Sequence, residues 1–398
     1  MFLKKIVFVL TAGVLLAPAC RDSYQYIPPG VDNQDLPVAE GFPIVAWTGL
    51  DKPSDSDEGF VAMKECGINT YLWWYDTTDD LLHVLDNAER DGMKVIARSQ
   101  ELYTETETTV RRIMEHPAFF GYCLKDEPER SDFLWLHDLV KKIQAIDAVH
   151  PCYINIYPNW CWGGIDGYLP IVTEYLQKVP VPFLSFDFYP IMEVDGEAKI
   201  REGWYANLED ARTASRRAKI PFWAFALTSP GQDGNNVWPV AQLGHLRLQM
   251  FSNLVYGAQG FQYFTYHGIC WKGAKLPVYD RVKTVNQELQ SLAFIFRDAD
   301  VKNVWHTGAV LPERTRGLTS LPYGVKSVTS GEAGVIISQV EKEGKTFIAL
   351  VNKDFEADQK ISVQFGTDVI RYDHDGFSLA FSGEVTLSPG DITVFELK

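Results

Sequence analysis

Cysteine is scarce in this chain, 6 residues in 398, and no two stand at the Cys-x-x-Cys spacing of a zinc or redox site. Cys66, Cys123, Cys152, Cys161 and Cys270 are therefore expected as free thiols, several of them in apolar runs where a thiol behaves as a small hydrophobe. Histidine is equally thin, 8 scattered residues, and the first apolar run, Pro43 to Trp47, has no His-x-His pair, so no metal or other cofactor is expected. Positive charge is in deficit: 37 Lys and Arg face 52 Asp and Glu, a net charge of −15. That balance argues against nucleic acid as a partner, because phosphate-backbone binding draws on Lys and Arg. No glycine-rich phosphate loop follows the first apolar run, and no apolar stretch is long enough to span a bilayer permanently. Polar low-complexity tracts are missing too, and 46% hydrophobic with 22% charged residues is the composition of a folded protein.

The N-terminus carries Lys4 and Lys5, an apolar run from Ile6 to Leu16 and small residues before Cys20, the layout of a signal peptide over residues 1–19. Leu16-Ala17-Pro18-Ala19-Cys20 resembles a bacterial lipobox, which implies lipidation of Cys20 and anchoring to the outer membrane. Pro18 departs from the usual pattern, and ordinary secretion is the alternative. Residues 20–40, with Pro28-Pro29-Gly30, then read as a tether.

Beyond the tether, eight apolar runs alternate with helical periodicity: Phe42 to Trp47, Ile68 to Trp74, Lys94 to Ser99, Gly121 to Glu127, Pro151 to Tyr157, Val181 to Pro190, Pro221 to Thr228 and Gly260 to His267. Eight such alternations predict a (β/α)8 TIM barrel over 41–300, with a doubly wound open sheet as the competitor. After a helix around Val282 to Phe296 the pattern turns to short alternating strands broken by Glu343-Gly344, Asp375-Gly376 and Pro389-Gly390, which predicts a C-terminal antiparallel β-sandwich over 301–398.

Barrel sites sit at the carboxyl ends of the strands, so polar residues ending the apolar runs are the candidates. The fourth run ends Lys125-Asp126-Glu127-Pro128, where Pro biases Glu127 toward an extended backbone. Strict alternation points Cys123, Lys125 and Glu127 at the barrel axis, and Tyr122, Leu124 and Asp126 away from it. The sixth run places Ser185, Asp187 and Tyr189 on one face, and a carboxylate inside an aromatic run calls either for a cation such as Lys125 or for use at the mouth. Glycosidic cleavage needs two carboxyl groups, and Glu127 with Asp187 is the best pair available. Asn155 and Tyr157 suit hydrogen bonds to sugar hydroxyls, Trp73 suits stacking on a sugar ring, and Asp76, Glu101, Asp233 and His267 are further rim candidates.

At this point the chain resembles the (β/α)8 glycoside hydrolases of the large retaining clan that includes family 42 β-galactosidases and cellulase-like enzymes, particularly lipoprotein members from Bacteroidetes. The resemblance rests on Gly121 to Pro128, Asn155-Ile156-Tyr157-Pro158, Asp187-Phe188-Tyr189-Pro190 and Gly260 to Phe264. It implies hydrolysis of a neutral poly- or oligosaccharide, with Glu127 as general acid/base. Two departures stand out: Asp126 where the clan commonly has Asn, and no carboxylate in Pro221 to Thr228, where the clan's nucleophile belongs. Asp187 or Asp233 would then supply the second carboxylate. In α-galactosidase-like barrels, carboxylates on strands four and six exchange jobs, the strand-four residue being the nucleophile. A non-catalytic glycan-binding lipoprotein on a degenerate barrel is the rival expectation.

Overall fold

Each of the eight apolar runs becomes a parallel strand, because each is rich in β-branched and aromatic residues and is bounded by polar or turn residues. The computed structural model describes residues 41–50, 57–234 and 236–398. The signal peptide, Cys20 and the tether lie outside the described residues. The strands are β1 Ile44–Trp47, β2 Thr70–Tyr75, β3 Lys94–Ser99, β4 Phe119–Asp126, β5 Cys152–Ile156, β6 Leu184–Phe186, β7 Phe222–Leu227 and β8 Ala258–Phe264. They pair in sequence order and β8 returns to β1, closing the barrel. The following helices are α1 Asp57–Glu65, α2 Thr78–Arg90, α3 Thr106–Ile113, α4 Phe133–Gln144, α5 Gly164–Lys178, α6 Trp204–Ala218, α7 Leu243–Tyr256 and α8 Tyr279–Ser291. Among the described residues no helix is long and apolar enough to cross a membrane.

The barrel interior is a packed aromatic plug. Phe183 and Trp223 stack with centroids 4.0 Å apart, and Phe120, Tyr153 and Phe225 fill the space around them. Gly260 on β8 lets the indole in: a Cβ there would stand 2.3 Å from Trp223 Cδ2.

The C-terminal part begins with β9 Asp300–His306 and continues through β10 Val325–Thr329, β11 Val335–Lys342, β12 Lys345–Asn352, β13 Gln359–Phe365, β14 Val369–Tyr372, β15 Ser378–Leu379, β16 Glu384–Leu387 and β17 Ile392–Leu397. A six-stranded antiparallel sheet, β9-β11-β12-β17-β14-β15, faces a three-stranded one, β10-β13-β16. Alternation along β12 decides what each face covers. Ile348 and Leu350 point into the sandwich, whereas Phe347, Ala349 and Val351 join the core shared with the barrel.

Candidate functional site

The register of β4 is the first determinant of the site. Cys123 pairs with Tyr153 and Lys125 with Ile154, so one extra residue, a β-bulge at Leu124, interrupts the ladder. Tyr122 and Leu124 face the helices and Cys123 faces the axis, as alternation predicts. Beyond the bulge the parity inverts. Lys125 falls beside outward-facing Ile154, and Asp126 beside inward-facing Asn155. The expectation that Lys125 points along the axis, with Asp126 turned away, is thus corrected by one inserted residue. Glu127 follows in the left-handed region, φ +47, with its N–H donating to the Asn155 carbonyl at 2.8 Å. This sparsely populated conformation re-aims a side chain at the strand end, the usual use of a bulge beside a site.

Asp187 lies just past β6, on the axis side with Ser185 and Tyr189, and is only 6% exposed. Lys125 is not its partner. The Asn155 amide donates to Asp187 Oδ1 at 3.1 Å and to Asp126 Oδ1 at 3.2 Å, so the two carboxyls lie within about twice a hydrogen-bond length of each other. Asn155 is itself fixed from below. Ser185 Oγ donates to its Oδ1 at 3.0 Å and accepts from Gln262 Nε2 at 2.9 Å, while Tyr153 donates to Gln262 Oε1 at 2.7 Å. A buried polar network from β5, β6 and β8 therefore sets the direction of the amide that bridges the carboxyls.

The carboxyls resist ionisation. Partial desolvation at the barrel mouth holds Asp126, whose side chain stays exposed, above its ordinary value. Burial, then the charges of Asp126 and Glu129, push Glu127 up to about 7. Burial, then Glu127 and Asp126, push Asp187 up to about 8, against the hydrogen bonds from Asn155 and Tyr189. A charge on Glu127 helps keep the proton on Asp187, so the two carboxyls titrate as a coupled pair.

Tyr157 follows β5, its phenol raised by burial and then by Glu127 and Glu129, so it stands at the same mouth. Tyr189 packs against Phe264 and Trp238, with centroids 5.2 and 6.3 Å away. Trp73 turns toward the helix layer, and it is Trp74, beside Trp47 at 6.5 Å, that lines the axis side. His267 sits in a short helical turn after β8, packed on Trp271 at 4.9 Å. Asp233 ends the first strand of a hairpin, Gly231–Asp233 with Asn236–Trp238, that follows β7. Glu101 is committed elsewhere, accepting from the Thr78 N–H at 2.6 Å at the start of α2. Neither Asp126 nor Glu127 caps the next helix; Glu129 and Asp132 form that capping box.

Sequence reasoning missed Arg98. It shares the axis parity of Ile96 on β3, donates to the Leu124 carbonyl at 2.9 Å and lies over Trp74 at 5.4 Å. Its charge opposes the rise at Asp126. A cation one residue from the end of an apolar strand was the available signal. The described residues bring one group of possible metal ligands together, Asp86, Glu89 and His116, at the opposite end of the barrel. All five described cysteines are free.

No family model matches the chain, and no curated protein matches it significantly. Solved structures do share its architecture. A β-galactosidase from Bacillus circulans sp. alkalophilus matches with a TM-score of 0.59 and 9% identity, over 90% of this chain and 99% of that one. A family 39 glycoside hydrolase from the gut symbiont Bacteroides cellulosilyticus WH2 matches with a TM-score of 0.52 and 10% identity, over 94% and 83%. At such identities the likeness is one of fold: a TIM barrel followed by antiparallel sheets.

Proposed function

We propose that this chain is a glycoside hydrolase that works with Glu127 and Asp187. The observation that carries the reading is that Asp126 and Asp187 share the buried Asn155 amide at the strand ends while Glu127, next along the chain from Asp126, lies close enough for its charge to hold the proton on Asp187. The folds of the β-galactosidase and the family 39 enzyme support it. Trp74, Tyr189 and Trp238 supply ring faces of the kind that stack on sugars.

The deeper burial of Asp187, which disfavours its charged form, favours it as proton donor to the leaving oxygen and the more open Glu127 as the carboxylate that attacks the anomeric carbon or activates water. That allocation is the α-galactosidase-like one, and it accounts for a β7 with no carboxylate. The test is a panel of aryl glycosides and natural oligosaccharides with wild type, Glu127→Gln and Asp187→Asn. Asp187→Asn should keep activity on glycosides whose phenol leaves without protonation and lose it on unactivated ones, whereas Glu127→Gln should lose both. The opposite pattern assigns Glu127 as the acid. Wild-type inactivity across the panel, or variants as active as wild type, sinks the proposal. Activity should rise as Glu127 ionises through about 7 and fall as Asp187 loses its proton through about 8, a narrow bell in kcat/KM.

The carboxylate-free, wholly buried β7 also favours a second reading, a barrel that binds glycans without cleaving them. Isothermal titration of an inert wild type with oligosaccharides distinguishes it. We further propose export and a lipid anchor at Cys20, which palmitate labelling of wild type and Cys20→Ala would test.

A further inference from the structure

The seam between barrel and sandwich forms an open cleft of about 670 Å³, lined by the start of α6, by residues 310–313 and by Lys353 just past β12. Among the described residues its cations, Lys353 and Arg201, form no ion pair, although two glutamates lie on its lining. Lys353 is 7% exposed as a residue, its ammonium still reaches solvent, and among the described residues that ammonium has no hydrogen-bond or ion-pair partner. Burial alone lowers it, to about 8. Arg201 lays its guanidinium over Trp160 at 4.1 Å and leaves a buried Nη1 without an acceptor. The fifteen-residue helix α6 opens onto the same space, behind Gly203 in the left-handed region, with no side chain capping it. Among the described residues the N–H groups of Tyr205 and Ala206 find no acceptor. The glutamates on the lining, Glu202 and Glu313, are exposed.

A buried guanidinium nitrogen without an acceptor, as at Arg201, is costly, an unpaired ammonium beside it adds to the positive field, and orphaned N–H groups at the positive end of a helix do the same. One kind of ligand relieves all of them at once. We infer that the seam cleft binds an oxyanion carried on a sugar-sized molecule, a carboxylate or a sulfate group, between Lys353, Arg201 and the start of α6. The planar guanidinium suits two-pronged recognition of such a group, and helix N-termini take anions readily. The volume exceeds what a bare inorganic ion fills and lies in the range of small-molecule sites. Exposed Val310 and Leu311 add apolar surface for the rest of the ligand. The cleft lies toward the barrel mouth: the exposed Cys161 thiol feels the charges of Glu127 and Asp187 on one side and of Arg201 on the other. The inference stands apart from the hydrolase reading, since binding at the seam requires no turnover.

Titration calorimetry on the full chain, with sodium sulfate, glucuronate and glucose as probes, tests it. Glucuronate or sulfate should bind and glucose should not. Lys353→Met and Arg201→Gln should each weaken the binding roughly tenfold or more. Glu127→Gln should bind as wild type does, so failure of the hydrolase reading leaves this result standing. Glucuronate binding alone assigns the site to acidic sugars, and sulfate binding to sulfated ligands or the free ion. The idea fails if no oxyanion binds, if glucose binds equally, or if both cation variants bind as wild type does. Circular dichroism verifies folding; Lys353→Met keeps the buried stem, removes an unpaired charge and should melt no lower than wild type.

Discussion

Asp187 keeps a proton it would lose in water, and that has a consequence for stability. A carboxyl raised from its ordinary value to about 8 binds its proton more tightly folded than unfolded. The folded state therefore holds more protons than the unfolded one between roughly pH 4 and 8, and stability falls as pH rises through that window. Asp187→Asn removes the titration while leaving an oxygen to accept from Asn155. Its thermal midpoint should exceed that of wild type at pH 8 by on the order of a few degrees, with the gap closing below pH 5. Scanning calorimetry at the two pH values measures this, and an equal gap at both would contradict the buried-proton account. Gly260 is the other residue whose chemistry is forced by a neighbour. Ala there drives a methyl into the Trp223 indole, in an interior with no slack, and should destabilise by roughly 1–3 kcal/mol in urea unfolding.

At the level of elements, what could be read in advance depended on whether strand parity held. On β6 it did: Ser185, Asp187 and Tyr189 share the axis side because nothing interrupts the alternation. The β4 strand looks equally regular in sequence, yet the bulge at Leu124 turns Lys125 outward and Asp126 inward. A bulge is a property of two strands in register, so counting along one cannot find it. Trp73 is a different case, since counting from inward Leu72 assigns the axis to Trp74. Glu101 shows the limit of the strand-end rule, its carboxylate being taken by Thr78. The inverted parity separates two cations by function. Lys125→Met should leave kcat/KM within about threefold, because the side chain points toward the helices. Arg98→Met removes the charge beside Asp126 and the bond to the Leu124 carbonyl, and should cost roughly tenfold or more. Equal effects of the two would contradict the bulged register.

For the whole molecule, the decisive element is α7. Thirteen of its residues are buried, from Gly244 to Tyr256, because the barrel lies on one side and the six-stranded sheet on the other. Such a helix shows almost no apolar stripe; it is apolar nearly all round, which is the pattern of a helix between two layers. Contact with the sandwich is close at specific points. A Cβ on Gly244 would stand 2.3 Å from the Phe355 carbonyl oxygen, and Ser338 donates to the Val255 carbonyl at 2.8 Å. Arg247 on α7 and Glu288 on α8 form a buried ion pair, with His374 from the sandwich lying near the same carboxylate. Removing residues 301–398 would bare α7 and leave the Val255 carbonyl without its donor, a combination of exposed apolar area and lost partners that a barrel alone cannot absorb. The full chain should therefore unfold in a single calorimetric transition, and a fragment of residues 41–300 should be insoluble or melt far below it. A soluble fragment melting near the intact protein would show two independent units, and the seam cleft would then be a gap between them rather than part of one core.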